Sequence, residues 1–335
     1  MLRLDSIKIL APFTSVKDYN YDSFNHSEKS TKGIKTSDLL SVDNLDFGIN
    51  RIAIDNKANN ITLEVSAKAL KNDYAEGINL NTYEQLISNI NKHSNIIQLD
   101  AGVIYNEGQL LKADVTDNVK IDYNGPNFYV DIAAIPLPNK YEITQYNRKS
   151  NIGVVFSGKQ KSFKERLIVY DKLIELYSNR KGKDFLNSIN NQKVFKDFHG
   201  TIRTEANFTQ LRKIREYIGS NQLSDVLSSD AKVNYNVFKK ITKQANTEVL
   251  YLFDRYEGMR LKDIIYKVGV EGIIKDASYN WQFIDMFLLK KVGKNNYRRE
   301  RKKFQKVFNE LKNPIAVDSE KTIINMFLDA LSKVA

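Results

Sequence analysis

The chain contains no cysteine. That excludes disulfides, thiolate nucleophiles and cysteine-rich zinc sites, each of which needs a sulfur atom. No apolar run approaches the roughly 20 residues that a membrane span requires. The first residues, MLRLDSIKILAPF, alternate apolar and polar positions instead of building a signal-peptide core, so they read as a first strand. The expected compartment is a cytoplasm, and no membrane partner is expected. Internal repeats are absent, and the only histidines are His26, His93 and His199.

What the chain does have is basic charge. It carries 51 Lys+Arg against 40 Asp+Glu, a net charge of +11, with a pI near 9.3. This surplus suits a polyanionic partner, most simply nucleic acid, but on charge alone a basic protein without such a partner fits equally well. At 335 residues and 42% hydrophobic content, the chain can fill two modest cores.

The first two thirds read as α+β. Strand patterns fall at LRLDSIKIL, RIAID, ITLEVSA, NIIQLDAGVIY, NIGVVFS, ERLIVY and GTIRTEANF, and helical patterns at TYEQLISNINKH and FTQLRKIREYIG. From about residue 230 helices take over, so a boundary is expected at the small, polar SSDAK of residues 228–232. It separates an α+β domain, 1–230, from a helical and basic one, 231–335. The polar stretch NHSEKSTKGIKTSD is expected to be a mobile loop.

Four strands present a chemically capable residue opposite an apolar row. Ile61, Leu63 and Val65 share one face, with Glu64 opposite. Read as a strand, IIQLDAGVIY sets Asp100 against Ile97, Leu99, Ala101 and Val103. Arg203 and Glu205 share a face, as do Arg166, Ile168 and Tyr170. A solvated outer sheet face would explain any one carboxylate. Three carboxylates, an arginine and a tyrosine together are harder to place that way, because carboxylates are sparse inside strands.

Five stretches in order, ITLEVSAKAL, IIQLDAGVIY, RLIVYDKLIEL, GTIRTEANF and QLSDVL, resemble the replication initiators of filamentous phages and related phage and plasmid elements. These are nicking-closing endonucleases of rolling-circle replication. The likeness covers about residues 50–230, and nothing is carried over outside it. It implies an antiparallel-sheet nuclease core, with Tyr170 as the nicking tyrosine and Lys172 beside it. The family's acidic positions fall on Glu64, Asp100 and Glu205, read as ligands for Mg²⁺ or Mn²⁺, with Arg203 next to the last. The chain departs from the better-known rolling-circle nucleases in having no His-hydrophobic-His pair. His199, just before the R-x-E strand, is either an extra ligand or an ordinary turn histidine.

The implied chemistry is intelligible. A tyrosine hydroxyl with a pKa near 10 needs help to attack. A cation on oxygen ligands polarises the scissile phosphate, and all-carboxylate ligation suits Mg²⁺ or Mn²⁺ over zinc. Lys172 lowers the effective pKa of Tyr170, neutralises a phosphate oxygen, or is simply a solvated lysine at a helix start. Some enzymes of this kind alternate two tyrosines, but Tyr177 belongs to the following helix and is expected to be packing or surface.

The helical end holds the densest basic cluster, KKVGKNNYRRERKKF. Arg298, Arg299, Arg301, Lys302 and Lys303 are expected to contact phosphates, which gives salt-dependent and sequence-blind affinity. Arg203 and Arg166 are expected to contact DNA nearer the site. LKDIIYKVGVEGIIKDA is a candidate helix-turn-helix with Gly269 and Gly272 near its turn. The reading is a site-specific, metal-assisted nickase that starts rolling-circle replication of a phage or plasmid in a bacterial cell. Its partners would be single- and double-stranded origin DNA, a host helicase and other copies of itself on DNA. The alternatives are a mobilisation relaxase and a non-catalytic origin-binding protein or repressor.

Overall fold

The computed structural model describes residues 1–31, 34–92, 96–121, 128–133, 135, 137, 140–146, 152–159, 165–242, 259–277, 280–292, 294–312 and 323–334. Its strands are β1 (Leu4–Pro12), β2 (Val16–Tyr19), β3 (Asn25–Thr31), β4 (Ile34–Asp46), β5 (Ile49–Asp55), β6 (Asn60–Ser66), β7 (Ile97–Leu99), β8 (Gln109–Val119), β9 (Tyr141–Tyr146), β10 (Gly153–Gly158), β11 (Arg166–Tyr170) and β12 (Ile202–Phe208). Its helices are α1 (Tyr83–Asn91), α2 (Ala101–Glu107), α3 (Phe128–Ala133), α4 (Lys172–Ser178), α5 (Arg180–Asn187), α6 (Asn191–Phe198), α7 (Leu211–Ile218), α8 (Leu223–Leu227), α9 (Val233–Thr242), α10 (Leu261–Asp276), α11 (Trp281–Val292), α12 (Lys294–Lys312) and α13 (Ile323–Val334). The protein is α+β.

Ten strands form one antiparallel sheet in the order β3-β4-β5-β6-β1-β8-β12-β11-β10-β9, and β2 pairs with β7 separately. The period of two sorts its faces. Ile7, Ile9, Leu63, Val65, Ala113, Val115, Leu167, Val169, Ala206 and Phe208 are buried on one side, where α7, α9 and α13 pack. Each fully buried Leu or Phe contributes about 1.5–3 kcal/mol relative to exposure. The other side is polar, and cross-strand register sets it in rows. Glu64 lies opposite Lys8, Lys8 opposite Lys112, Asp114 opposite Asn207, Glu205 opposite Ile168, and Arg203 opposite Tyr170.

The chain divides into two compact units, Met1–Ala245 with Ile323–Ala335, and Asn246–Thr322. The single cut expected near residue 230 therefore moves, and the helical region is not one piece. Helix α9 buries Val233, Val237, Phe238 and Ile241 in the first unit. Helix α13 returns to the same unit, its Phe327 ring meeting Phe238 edge-on at 4.7 Å. In the second unit α10, α11 and α12 enclose Val270, Ile274, Ile284, Leu288, Phe304, Val307 and Phe308.

Three local expectations change. The polar stretch expected as a mobile loop lies mostly in β3 and β4, which pair Glu28 with Asp38 and extend the sheet beyond β5. Residues 32 and 33 lie outside the described residues. The strand expected through Asp100 stops at Leu99, because the Asp100 carboxylate accepts a hydrogen bond from Val103 N at 3.1 Å and caps α2. The candidate helix-turn-helix is one uninterrupted helix, α10, which runs through both glycines and buries Val270 and Ile274. Among the described residues, no helix is long and apolar enough to cross a membrane.

Candidate functional site

Tyr170 is the last residue of β11. Asp171 then caps α4, accepting from Ile174 N at 2.8 Å, so the chain turns sharply at that point. The turn brings Lys172 back over the strand end, where its Nζ donates to Tyr170 Oη at 3.2 Å and pairs with Glu175 at 3.1 Å. From the next strand, Glu205 Oε2 accepts the Tyr170 hydroxyl at 3.0 Å. The phenol oxygen thus sits between an ammonium donor and a carboxylate acceptor. Across from it on β10, Gly153 leaves room for the Tyr170 side chain. A Cβ at residue 153 would overlap Tyr170 Cβ.

Tyr170 is only 1% exposed, and the Tyr146 ring packs on it with centroids 4.8 Å apart. The polar face is therefore not the solvated outer surface that strand periodicity alone would allow. The segment Ala67–Glu76 and helices α4–α6 roof this end of the sheet, with Tyr74 edge-on to Phe185 at 5.2 Å. Burial, and then the Glu205 charge, push the Tyr170 pKa well above its ordinary value, against the opposing pull of Lys172 and Arg203. Burial works against the Lys172 charge too, but Tyr170, Tyr74 and Asp5 hold its pKa well above the ordinary range.

Arg203 is also 1% exposed and donates to Asp5 Oδ1 at 2.6 Å. Its guanidinium lies over the rings of Tyr74 and Phe198 at 5.7 and 5.5 Å. Arg203 was expected to contact DNA. In the structure its charge is paired with Asp5 and roofed by rings. Asp5 reaches it from a register shift in β1 between Leu4 and Ser6. Burial raises the Asp5 pKa, but Arg203, Lys172 and Lys68 outweigh it and hold the carboxyl below the usual range.

On the other side of Glu205, Asn207 Nδ2 bridges two carboxylates, donating to Glu205 Oε1 at 2.8 Å and to Asp114 Oδ1 at 2.9 Å. Lys112 Nζ pairs with Asp114 Oδ2 at 3.2 Å. Burial lifts Glu205 above the usual carboxylate range, with repulsion from Asp5 adding to it. Burial likewise lifts Asp114, opposed by Lys112.

The three carboxylates expected to share a metal are not brought together. Glu64 lies on the same sheet face as Glu205, but β6 is three strands from β12, roughly 14 Å at the usual strand spacing. Its cross-strand neighbours are Lys8 and Arg51. Asp100 belongs to neither row. It caps α2 beside the small β2–β7 sheet and pairs with Lys17 at 3.0 Å, which lowers its pKa. A cation held jointly by Glu64, Asp100 and Glu205 therefore does not fit. Among the described residues, the His/Asp/Glu trio whose ligand atoms do converge, within 4.8 Å, is His26, Glu28 and Asp38 on the β3–β4 hairpin.

The remaining expected residues are spread out. Arg166 is exposed at the start of β11, on the Tyr170 face and opposite Asn207. Tyr177 is 45% exposed on α4. His199 ends α6, exposed, its ring against Phe195 at 5.2 Å, and His93 lies outside the described residues. In the second unit, Arg301 pairs with Asp285 at 2.8 Å and lies over the Trp281 ring, which binds it to its own fold. Arg299 and Lys303 both pair with Glu300. Arg298 and Lys302, one helical turn apart on α12, are exposed.

Sequence reasoning missed Asp5, Tyr74, Asp114, Thr116 and Asn207. Strand β8 was detectable from the alternation of Ala113, Val115 and Val119 with polar residues, which would have offered Asp114 and Thr116. Asp5 carried no such signal, because a register shift brings it into place. No protein-family model matches the chain, and no curated protein matches it significantly.

Proposed function

We propose that this protein is a tyrosine-dependent, site-specific DNA nickase and strand transferase that starts rolling-circle replication of a phage or plasmid. The observation that carries the reading is the position of Tyr170 Oη, 3.0 Å from Glu205 Oε2 and 3.2 Å from Lys172 Nζ. A nucleophile within hydrogen-bond reach of a base, with a cation to stabilise its anion, is what such chemistry needs. The resemblance in RLIVYDKLIEL and GTIRTEANF supplies the DNA substrate.

In the proposed step the Tyr170 hydroxyl passes its proton to Glu205, and the phenolate, held by Lys172, attacks the scissile phosphorus. The Tyr–O–P bond forms as the bond from phosphorus to the 3′ oxygen breaks. That oxygen takes a proton from water and leaves as a free 3′-OH, while Glu205 keeps the proton from Tyr170. The 5′ end stays on the enzyme as a phosphotyrosyl ester, which conserves the phosphodiester's energy, so a later 3′-OH can reverse the attack and close a circle. A phosphate reaches Oη only after a covering group moves, and the Tyr146 ring is one such cover. A mobilisation relaxase would use the same chemistry on a transfer origin.

The burial of Tyr170 favours a second reading, a non-catalytic origin-binding protein in which the cluster only holds the fold together. One experiment separates the two. Supercoiled plasmid carrying the element's own origin is incubated with the protein and Mg²⁺ or Mn²⁺, and any covalent adduct is mapped. A nick with an adduct on Tyr170, lost in Tyr170→Phe while DNA binding survives, is the expected result. Nicking at full rate by Tyr170→Phe would remove the proposed nucleophile.

A further inference from the structure

We infer that Asp114, Thr116, Glu205 and Asn207 form a binding site for a hard divalent cation, Mg²⁺ or Mn²⁺, beside Tyr170. Its catalytic use rests on the nickase reading, but the site itself does not. The four residues occupy two adjacent cross-strand pairs of β8 and β12, Asp114 with Asn207 and Thr116 with Glu205. The register between these strands is unbroken, so all four side chains rise from the same sheet face as a two-by-two square of oxygen-bearing groups. Two are carboxylates, and Asp114, Thr116 and Glu205 are 6%, 3% and 9% exposed.

Two orphan atoms point to a missing partner. Thr116 Oγ1 and Asn207 Oδ1 are both buried without a hydrogen-bond partner. Such groups are rare because each costs about 1–3 kcal/mol. Meanwhile the Asn207 amide nitrogen lies 2.8 and 2.9 Å from the two carboxylates, a donor placed where two negative groups meet. Turning that amide about its last torsion exchanges Nδ2 for Oδ1, two atoms of nearly equal shape. The square then offers only oxygens to its centre, two of them anionic, and the two orphans become ligands.

The donor set decides the class of ion. Oxygen ligands with one or two carboxylates suit Mg²⁺ or Mn²⁺, which keep waters in their remaining positions, whereas zinc prefers nitrogen and sulfur. Glu205 would use Oε1 for the cation and Oε2 for the Tyr170 hydroxyl, so ion and nucleophile would share one carboxylate. This arrangement replaces the dispersed set of Glu64, Asp100 and Glu205.

The test is a Mn²⁺ titration of the full chain without DNA, followed by electron paramagnetic resonance, with Mg²⁺ as competitor. His26→Ala is the parent, so that the His26–Glu28–Asp38 hairpin group cannot contribute. The expected result is one Mn²⁺ retained by the parent and weakened by about tenfold or more in Asp114→Asn, with a measurable loss in Thr116→Val as well. Thr116→Val keeps the shape of the side chain, so it decides the matter should Asp114→Asn not fold. Unchanged Mn²⁺ affinity in the variants, or binding that disappears with His26→Ala alone, would overturn the site. The two proposals fail separately. A nicking-competent Tyr170→Phe would remove the nucleophile while leaving the cation site standing, and unchanged Mn²⁺ affinity in Asp114→Asn and Thr116→Val would remove the site while leaving the nucleophile.

Discussion

Asp5→Asn is the most direct probe of the polar face, because it needs no DNA. Arg203 is 1% exposed in its side chain and Asp5 17%, joined at 2.6 Å. Removing the carboxylate charge leaves a guanidinium buried among Tyr74 and Phe198 without its hydrogen-bonded anion. Breaking a buried pair from one side costs about 3–5 kcal/mol. With a urea slope of about 3 kcal/mol per molar, the first unit's midpoint should fall by about 1–2 M. Arg203→Met should cost less, since Asp5 reaches solvent and can take a proton. The double variant should recover part of the loss, with a coupling of about 2–3 kcal/mol. The assay is urea unfolding followed by far-UV circular dichroism. Fluorescence of Trp281, the chain's one tryptophan, reports separately on the second unit. A midpoint within about 0.2 M of the parent for Asp5→Asn, or strictly additive single variants, would refute the claim that this pair holds the face together.

Glu165 is buried with Lys213 and Lys240 and accepts from Tyr141 Oη at 3.0 Å. Burial raises its pKa, but the two lysines outweigh burial and set it below the ordinary value. It therefore adds stability above about pH 4.5 that is lost as the pH falls through its folded pKa, and Glu165→Gln should flatten that part of a stability-against-pH curve. An unchanged curve would remove Glu165 from the account. Arg298→Gln with Lys302→Gln should weaken DNA binding and reduce its log–log salt slope by about 0.9 per lost contact, while nicking at saturating protein stays at the parent level. Equal salt slopes would leave α12 a solvated face. Arg301→Gln should act differently, shifting the Trp281 unfolding transition, because it loses Asp285. Gly153→Ala should force Tyr170 away from Glu205, so adduct formation should drop more than DNA binding. Equal loss of both would point to general unfolding instead.

The period of two made much of the centre of the sheet legible. It put Arg203 with Glu205 and Arg166 with Tyr170, and the unbroken register of β11 with β12 joins the two sets on one face. It failed where something other than periodicity decides. Asp100 reads as a strand residue by alternation, but its carboxylate accepts from Val103 N and so starts a helix that ends the strand instead. The edge strand β3 carries too few apolar residues to look like a strand, since an edge strand gains from backbone pairing and need not bury both faces. Asp5 could not be read at all, because a one-residue shift in β1 moves it across the pleat. Nor could burial of the tyrosine, which depends on a roof contributed by residues far away in sequence, among them Tyr74 and Phe198.

The return of α13 to the first unit has a consequence for biosynthesis. Every described strand, and Tyr170, Glu205 and Lys172, are synthesised before residues 246–322. Through that interval, several seconds at roughly 5–20 residues per second, Phe238 has no Phe327 to cover it. A polypeptide broken off inside residues 246–322 would carry the whole proposed cutting apparatus on a sheet with an uncovered apolar patch, and would be a ready target for chaperones and proteases. Only a ribosome that has passed the second unit releases the helix that closes the first. The topology thus ties the covering of the first unit's Phe238 to completion of the basic helical unit.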